Sequence, residues 1–344
     1  MVDCASAGRL IEHALKNGQV MVRILPISDP GTLDAAIEVL RRGEPVAIPT
    51  ETVYGLAADA TDPAAITSIY EAKGRPRFNP LIAHVANIKM ARAHVAFSPL
   101  AERLAEAFWP GPLTLVLPLK ETGKIHPLAT AGLGTAAVRM PEGFARELIA
   151  GFGRPLAAPS ANRSGRISPT TAQHVADDLG DRISLVLDGG NCRIGVESTI
   201  LAVNDGRLRL LRPGGVPVEA IEEAVGMAVE RPGKQSGGGP VIAPGMLASH
   251  YAPDAQLRLN ATEARPGEAI IRFGGTPLAG EDQAKTVMDL SPSGDLREAA
   301  AHLFDLLKRA DATGATGIAV APVPGHGLGE AINDRLNRAA APRN

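Results

Sequence analysis

The sequence holds only two cysteines, Cys4 and Cys192, among 344 residues. Two thiols cannot build a disulfide framework or, by themselves, a four-ligand zinc site, and their scarcity fits a reducing cytoplasm. Aromatic residues make up 3% of the chain, few for the ring platforms on which single-stranded nucleic acids stack. The formal net charge is -2, without the basic excess of a protein that grips nucleic acid mainly through phosphates. No apolar run approaches the ~18 residues a membrane span needs, so no membrane role is expected. The chain also has no Walker A sequence, no G-x-G-x-x-G turn, no Ser-x-x-Lys or G-x-S-x-G nucleophile and no metal-ligand cluster. The N-terminus scatters Arg9, Glu12 and Lys16 where a secretory signal would carry an apolar stretch.

What is present reads as a globular protein, 45% apolar and 21% charged. A chain of this length exceeds one ordinary hydrophobic core, so a larger and a smaller domain are expected. Residues 1–25 read as an N-terminal extension. Met21 stands directly before Val22-Arg23-Ile24-Leu25-Pro26 and is the expected natural start, a hypothesis that a native peptide mapped upstream of it would refute.

Leu33, Ala36, Ile37 and Leu40 recur at helical spacing, with Ser28 or Asp29 able to cap the start and Gly43 the end. Asp62-Pro63 opens a second helix carrying Ile66, Ile69 and Tyr70 and ending at Lys73-Gly74. Further helices are expected over 99–108, 142–150, 169–179 and 217–225. Strands are expected over 46–48, 81–85, 113–117, 136–140, 156–158, 185–187, 199–203 and 208–211. Such alternation implies an α/β fold around a twisted sheet, mixed because the last two strands form a close pair. From Arg231 the chain turns to Pro-Gly-Lys-Gln-Ser-Gly-Gly-Gly-Pro, which cannot bury apolar surface and reads as a linker. The expected division is 26–230, a linker or lid over 231–253, and a small α/β domain over 254–344.

Polar motifs gather at the strand ends, where open α/β sheets bind ligands. Pro49-Thr50-Glu51-Thr52-Val53-Tyr54-Gly55-Leu56 follows the strand Val46-Ala47-Ile48. With it stand Lys73-Gly74-Arg75-Pro76, Asn79, His84, Ala137-Val138-Arg139-Met140-Pro141, Pro159-Ser160-Ala161-Asn162-Arg163-Ser164-Gly165, Gly195-Val196-Glu197-Ser198-Thr199-Ile200 and Leu211-Arg212-Pro213-Gly214. Together they suggest a site for a small polar molecule and a nucleotide. Each residue also has a plainer reading. Lys73 and Arg75 at a helix end can complement the helix dipole, although Pro76 and Pro80 stiffen the loop as a phosphate-gripping guanidinium requires. His84 inside an apolar strand is, taken alone, a satisfied core histidine. Arg139 ends a buried strand and needs a carboxylate partner, either a protein side chain or a substrate, and the residue itself favours neither. Ser160 and Asn162 can be cap and turn residues, and Glu197-Ser198-Thr199 a strand entry.

These motifs, with Pro244-Gly245-Met246 and His250-Tyr251-Ala252-Pro253, resemble the YrdC-like family in its long, two-domain form. The resemblance is densest over about residues 25–225 and implies a YrdC-like twisted mixed sheet with flanking helices, followed by a Rossmann-like C-terminal domain. It further implies a synthase that joins L-threonine, bicarbonate and ATP into threonylcarbamoyl-AMP and pyrophosphate, the first step towards the threonylcarbamoyl group at position 37 of tRNAs reading ANN codons. On that resemblance threonine is expected at Thr52, His84, Arg139, Ser160 and Ser198. ATP is expected at Arg75, Asn79, Thr135, Asn162, Thr170, Arg212 and Tyr251, and Lys73 with Arg75 supplies the catalytic cations. Magnesium travels with the triphosphate, a tRNA threonylcarbamoyl transferase receives the product, and tRNA itself binds weakly at most. Tyr251 lies beyond the linker, so the linker is expected to fold over the nucleotide as a lid. The alternative is a non-catalytic RNA- or ribosome-binding module; the carbamoyl-transferring hydrogenase-maturation proteins that share the domain carry zinc-finger cysteines this chain lacks.

Overall fold

The computed structural model describes residues 22–204, 206–231 and 250–342. The expected start at Met21, most of the expected linker and Pro244-Gly245-Met246 lie outside the described residues. Ten strands form one sheet: β1 (Arg23–Pro26), β2 (Val46–Ile48), β3 (Gly55–Asp59), β4 (Ile82–His84), β5 (Leu113–Pro118), β6 (Thr135–Arg139), β7 (Leu156–Ala157), β8 (Leu185–Asp188), β9 (Thr199–Asn204) and β10 (Arg207–Arg212). Their order is β1-β8-β2-β3-β7-β4-β6-β5-β9-β10. The sheet is mixed: β4 runs parallel to β6, β5 antiparallel to β6, and β9 and β10 form the expected hairpin pair.

The helix Pro63–Lys73 follows its sequence signals closely. Asp62 accepts the Ala64 N–H, proline fills the first turn, and Gly74 closes the end at φ 60°, a left-handed conformation that glycine adopts without a Cβ penalty. The helix Thr32–Arg41 begins differently from expectation. Its N-cap is Gly31 with no side-chain bond; Ser28 and Asp29 are not caps, because the turn is closed by the Asp29 carbonyl on the Thr32 N–H and by the Thr32 hydroxyl on the Pro26 carbonyl. Several elements go beyond the expected set, among them β1, the short helix Pro127–Thr130 and the two that follow. The strand β3 is alanine-rich and buried along its whole length, so its place in the sheet comes from packing rather than β propensity. The short helix Ile88–His94 is capped by the Asn87 side chain on the Met90 N–H.

The smaller sheet comprises β11 (Leu257–Arg258), β12 (Ala269–Arg272), β13 (Thr286–Asp289) and β14 (Ile318–Val320), in the order β11-β14-β12-β13 and parallel throughout. The helices Leu296–Ala312 and Leu328–Ala340 flank it. Its core includes Phe304, Leu303 and Ile332, each 0% exposed, and burying one such side chain contributes about 1.5–3 kcal/mol. Val53, Ile167 and Val196 of the larger sheet's domain belong to the same cluster, so the larger domain contributes side chains to the smaller domain's core. Gly195 marks a close approach: at φ 76°, a Cβ there would sit 2.3 Å from the Ala300 carbonyl oxygen. Among the described residues no helix is long and apolar enough to cross a membrane.

Candidate active site

The sheet order brings distant motifs to one crevice. The parallel register of β4 and β6 sets His84 beside Arg139. Thr52 arrives on the loop after β2, Ser160 is bridged to Gly55 at the start of β3, and Ser198 precedes β9. Arg212 ends β10 opposite Ile200. Gly214 lets the following turn press against the Glu197–Thr199 backbone, since a Cβ there would lie 2.3 Å from the Glu197 carbonyl oxygen. The resulting crevice is lined by Thr50, Thr52, Arg75, His84, Arg139, Ser160, Glu197, Ser198, Arg212, His250 and Tyr251, among others, around about 50 Å3 of space.

Three guanidinium groups therefore face one small cavity, each buried. Arg75 donates to the Asn79 and Pro80 carbonyls at 3.3 and 3.1 Å, and burial lowers its pKa to about 10. Arg212 donates to the Ser198 carbonyl at 2.9 Å and its hydroxyl at 3.3 Å. Arg139 holds the Gly111 carbonyl and the Thr52 hydroxyl, and its Nη2 lies 2.7 Å from Glu51 Oε1. The partner that the sequence left open for Arg139 is thus a protein carboxylate, which itself accepts the Glu142 N–H at the start of the helix Gly143–Phe152. Nη2 and Oε1 approach without hydrogen-bond alignment, and the guanidinium still borders the crevice.

His84 is neutral: burial first, then the Arg139 charge, lowers its pKa to about 3, while Nδ1 rests 3.2 Å from the Ile82 carbonyl. His250 is driven to about 3 chiefly by burial. Glu197 is the carboxylate lining the cavity. Burial pushes its pKa up, but Arg335, Arg212 and the Ser168 hydroxyl outweigh it and hold the group ionised, at about 2.

Of the expected residues, Thr52, Arg75, His84, Arg139, Ser160, Ser198, Arg212 and Tyr251 meet at this wall. Asn79, Asn162, Thr170 and Thr135 are not part of it. Asn79 and Asn162 are fully buried with Oδ1 of each unbonded. Thr170 Oγ1 lies 3.4 Å from His174 Nδ1. Thr135 begins the strand that Arg139 ends, roughly 13 Å away at about 3.3 Å per residue. Lys73, expected as a phosphate cation, does not line the wall either. Its ammonium is buried and donates to the Ser160 carbonyl at 2.6 Å and to the Asn162 carbonyl; burial and then the Arg75 charge push its pKa well down. It ties down the Ser160–Asn162 loop.

Glu51, Glu197 and His250 stood in the expected motifs without a role of their own, and Arg335 entered no expected site. Arg335 had a signal: it lies on the buried face of the helix Leu328–Ala340 with Ala331, Ile332, Leu336 and Ala339, and a charged residue on the apolar stripe of an amphipathic helix demands a buried partner.

Residues 38–214 match the family described as "Telomere recombination", of Sua5, YciO and YrdC proteins, and residues 216–341 match "Threonylcarbamoyl-AMP synthase, C-terminal domain". The threonylcarbamoyl-AMP synthase of Bacillus subtilis is 42% identical over 332 residues, 93% of this chain and 95% of the relative. The chain belongs to the threonylcarbamoyl-AMP synthase family. The family's Pyrococcus abyssi member is likewise 42% identical, over 88% of this chain and 92% of its own length. The crystal structure of P. abyssi Sua5 complexed with L-threonine superposes with a TM-score of 0.82 at 39% identity, covering 92% of this chain and 97% of that one. The two-domain architecture is therefore that of the family, and the fold expected from the sequence holds.

Proposed function

We propose that the crevice binds L-threonine and ATP and, with bicarbonate, forms threonylcarbamoyl-AMP and pyrophosphate, a nucleotidyl transfer. The observation that carries the reading is the convergence of Arg75, Arg139 and Arg212 on one cavity with the hydroxyls of Thr52, Ser160 and Ser198 and the neutral imidazole of His84. Threonine is assigned to Thr52, His84, Arg139, Ser160 and Ser198. Glu51, Thr52 and Gly111 fix the Arg139 guanidinium from behind, so that it meets the substrate carboxylate in one orientation. ATP is assigned to Arg75, Arg212 and Tyr251 at the wall, with Asn79, Thr135, Asn162 and Thr170 beyond it.

The threonine nitrogen adds to the bicarbonate carbon and water leaves, giving a carbamate. A carbamate oxygen then attacks the α-phosphorus and pyrophosphate departs with the electron pair of the broken P–O bond. Both steps bring anions together, so positioning and charge neutralisation lower the barrier more than a general base does. Magnesium enters as part of the nucleotide substrate; among the described residues no group of three His, Cys, Asp or Glu is arranged to hold a metal.

About 50 Å3 accommodates a few waters, not both substrates. His250 and Tyr251, which line the crevice, therefore move aside for entry and close again to exclude water from the labile product. We place the activity in the cytoplasm, where a tRNA threonylcarbamoyl transferase takes up the product. The deep burial of all three arginines argues against the RNA-binding alternative, since a polymer backbone cannot reach them. Labelled bicarbonate tests the proposal: label must enter an adenylate only when threonine and ATP are both supplied, and its entry without threonine refutes it.

A further inference from the structure

Arg335 is 0% exposed, yet it belongs to the C-terminal domain and reaches the catalytic crevice from behind. Its Nε lies 2.7 Å from Glu197 Oε2, and its Nη1 donates to the Pro213 carbonyl at 2.9 Å and to Asp334 at 2.7 Å. The guanidinium carbon sits 5.4 Å from the centre of the Tyr251 ring, which stacks in turn on Phe304 at 5.5 Å. One side chain thus contacts the wall carboxylate, the turn after Arg212 and the covering tyrosine.

Glu197 and Arg212 both line the crevice, and although the Arg212 charge helps keep Glu197 ionised, the Arg212 donors are not directed at it. Arg212 is engaged with Ser198 instead, through its carbonyl and hydroxyl. A buried carboxylate stripped of its partner takes the nearest cation it can reach. For Glu197 without Arg335 that cation is Arg212, the group assigned to the nucleotide's phosphates. An unpaired Glu197 would also repel the incoming triphosphate.

We propose that Arg335 is a positioning residue for ATP: by neutralising Glu197 it keeps Arg212 free for phosphate, and so makes nucleotide binding depend on the C-terminal domain. The inference rests on the functional reading above. It acts through charge at Glu197, so removing that charge repairs what removing Arg335 damages.

The experiment is steady-state pyrophosphate release by the full chain, with threonine, bicarbonate and ATP varied in turn. Arg335→Ala raises the KM for ATP at least about tenfold while leaving the threonine KM within about threefold, a split that general loosening of the fold would not produce. Adding Glu197→Gln to Arg335→Ala returns the ATP KM to within about threefold of the unaltered chain. If Arg335→Ala does not fold, the double variant and Arg335→Lys, which keeps a cation on Glu197, carry the test, with the same threefold limit expected of each. An ATP KM unchanged in Arg335→Ala, or raised tenfold in the double variant or the lysine variant, overturns the assignment. Absence of threonine-dependent turnover in the unaltered chain overturns instead the functional reading on which it rests.

Discussion

Glu51 and Arg139 form an ion pair of 2.7 Å in which both side chains are 4% exposed, directly behind the threonine assignment. Removing one member of such a pair leaves an uncompensated buried charge. Glu51→Gln is expected to destabilise the fold by on the order of 3 kcal/mol and to weaken threonine binding, because Arg139 loses its anchor. Urea denaturation together with calorimetric threonine titration checks both; unchanged stability shows that the pair is not a structural support.

Lys73→Met addresses the loop that carries Ser160. The substitution keeps the buried stem but leaves the Ser160 and Asn162 carbonyls without their donor, at a cost of about 1–3 kcal/mol for each group left unsatisfied. Both melting temperature and turnover are expected to fall. Turnover lost with full stability retained would instead support the expected role of Lys73 as a phosphate cation.

Acid is expected to destabilise the protein from a higher pH than carboxylate titration alone would produce. His84 and His250 have folded pKa values of about 3 against an ordinary 6.5. Below 6.5 the unfolded chain binds protons that the folded chain refuses, so stability falls as pH drops towards 3. Each histidine removes about 1.4 kcal/mol per pH unit in that window, up to about 4 kcal/mol for the pair between pH 7 and 5. Glu197 acts in the same direction from 4.5 down to about 2. Denaturant midpoints across this range check the trend, and a flat profile between pH 7 and 5 contradicts the neutral, buried state of both rings.

Much of this site was legible in the sequence because local signals and motif chemistry agreed. Asp62-Pro63 and Gly74 mark a helix at both ends, and β6 delivers Arg139 at its last residue as the apolar run Ala136-Ala137-Val138 suggests. What escaped were pairings set by sheet order. Nothing in the spacing of Glu51 and Arg139, of Lys73 and the Ser160 carbonyl 87 residues on, or of Glu197 and Arg335 138 residues apart shows that they touch. Only the order β2-β3-β7-β4-β6 and the docking of the helix Leu328–Ala340 bring them together. The strand β3 escaped for a related reason: Gly-Leu-Ala-Ala-Asp has weak β propensity and is held by neighbours on both sides.

The central claim is that three buried guanidinium groups serve one cavity in which threonine and ATP meet. Pyrophosphate release, measured with each of threonine, bicarbonate and ATP omitted in turn and repeated with Arg75→Ala, tests it most directly. We expect release only with all three present, and a loss of about 2–4 kcal/mol of transition-state stabilisation in Arg75→Ala, roughly one and a half to three orders of magnitude in rate. Release that proceeds without threonine, or that is indifferent to Arg75, would contradict it.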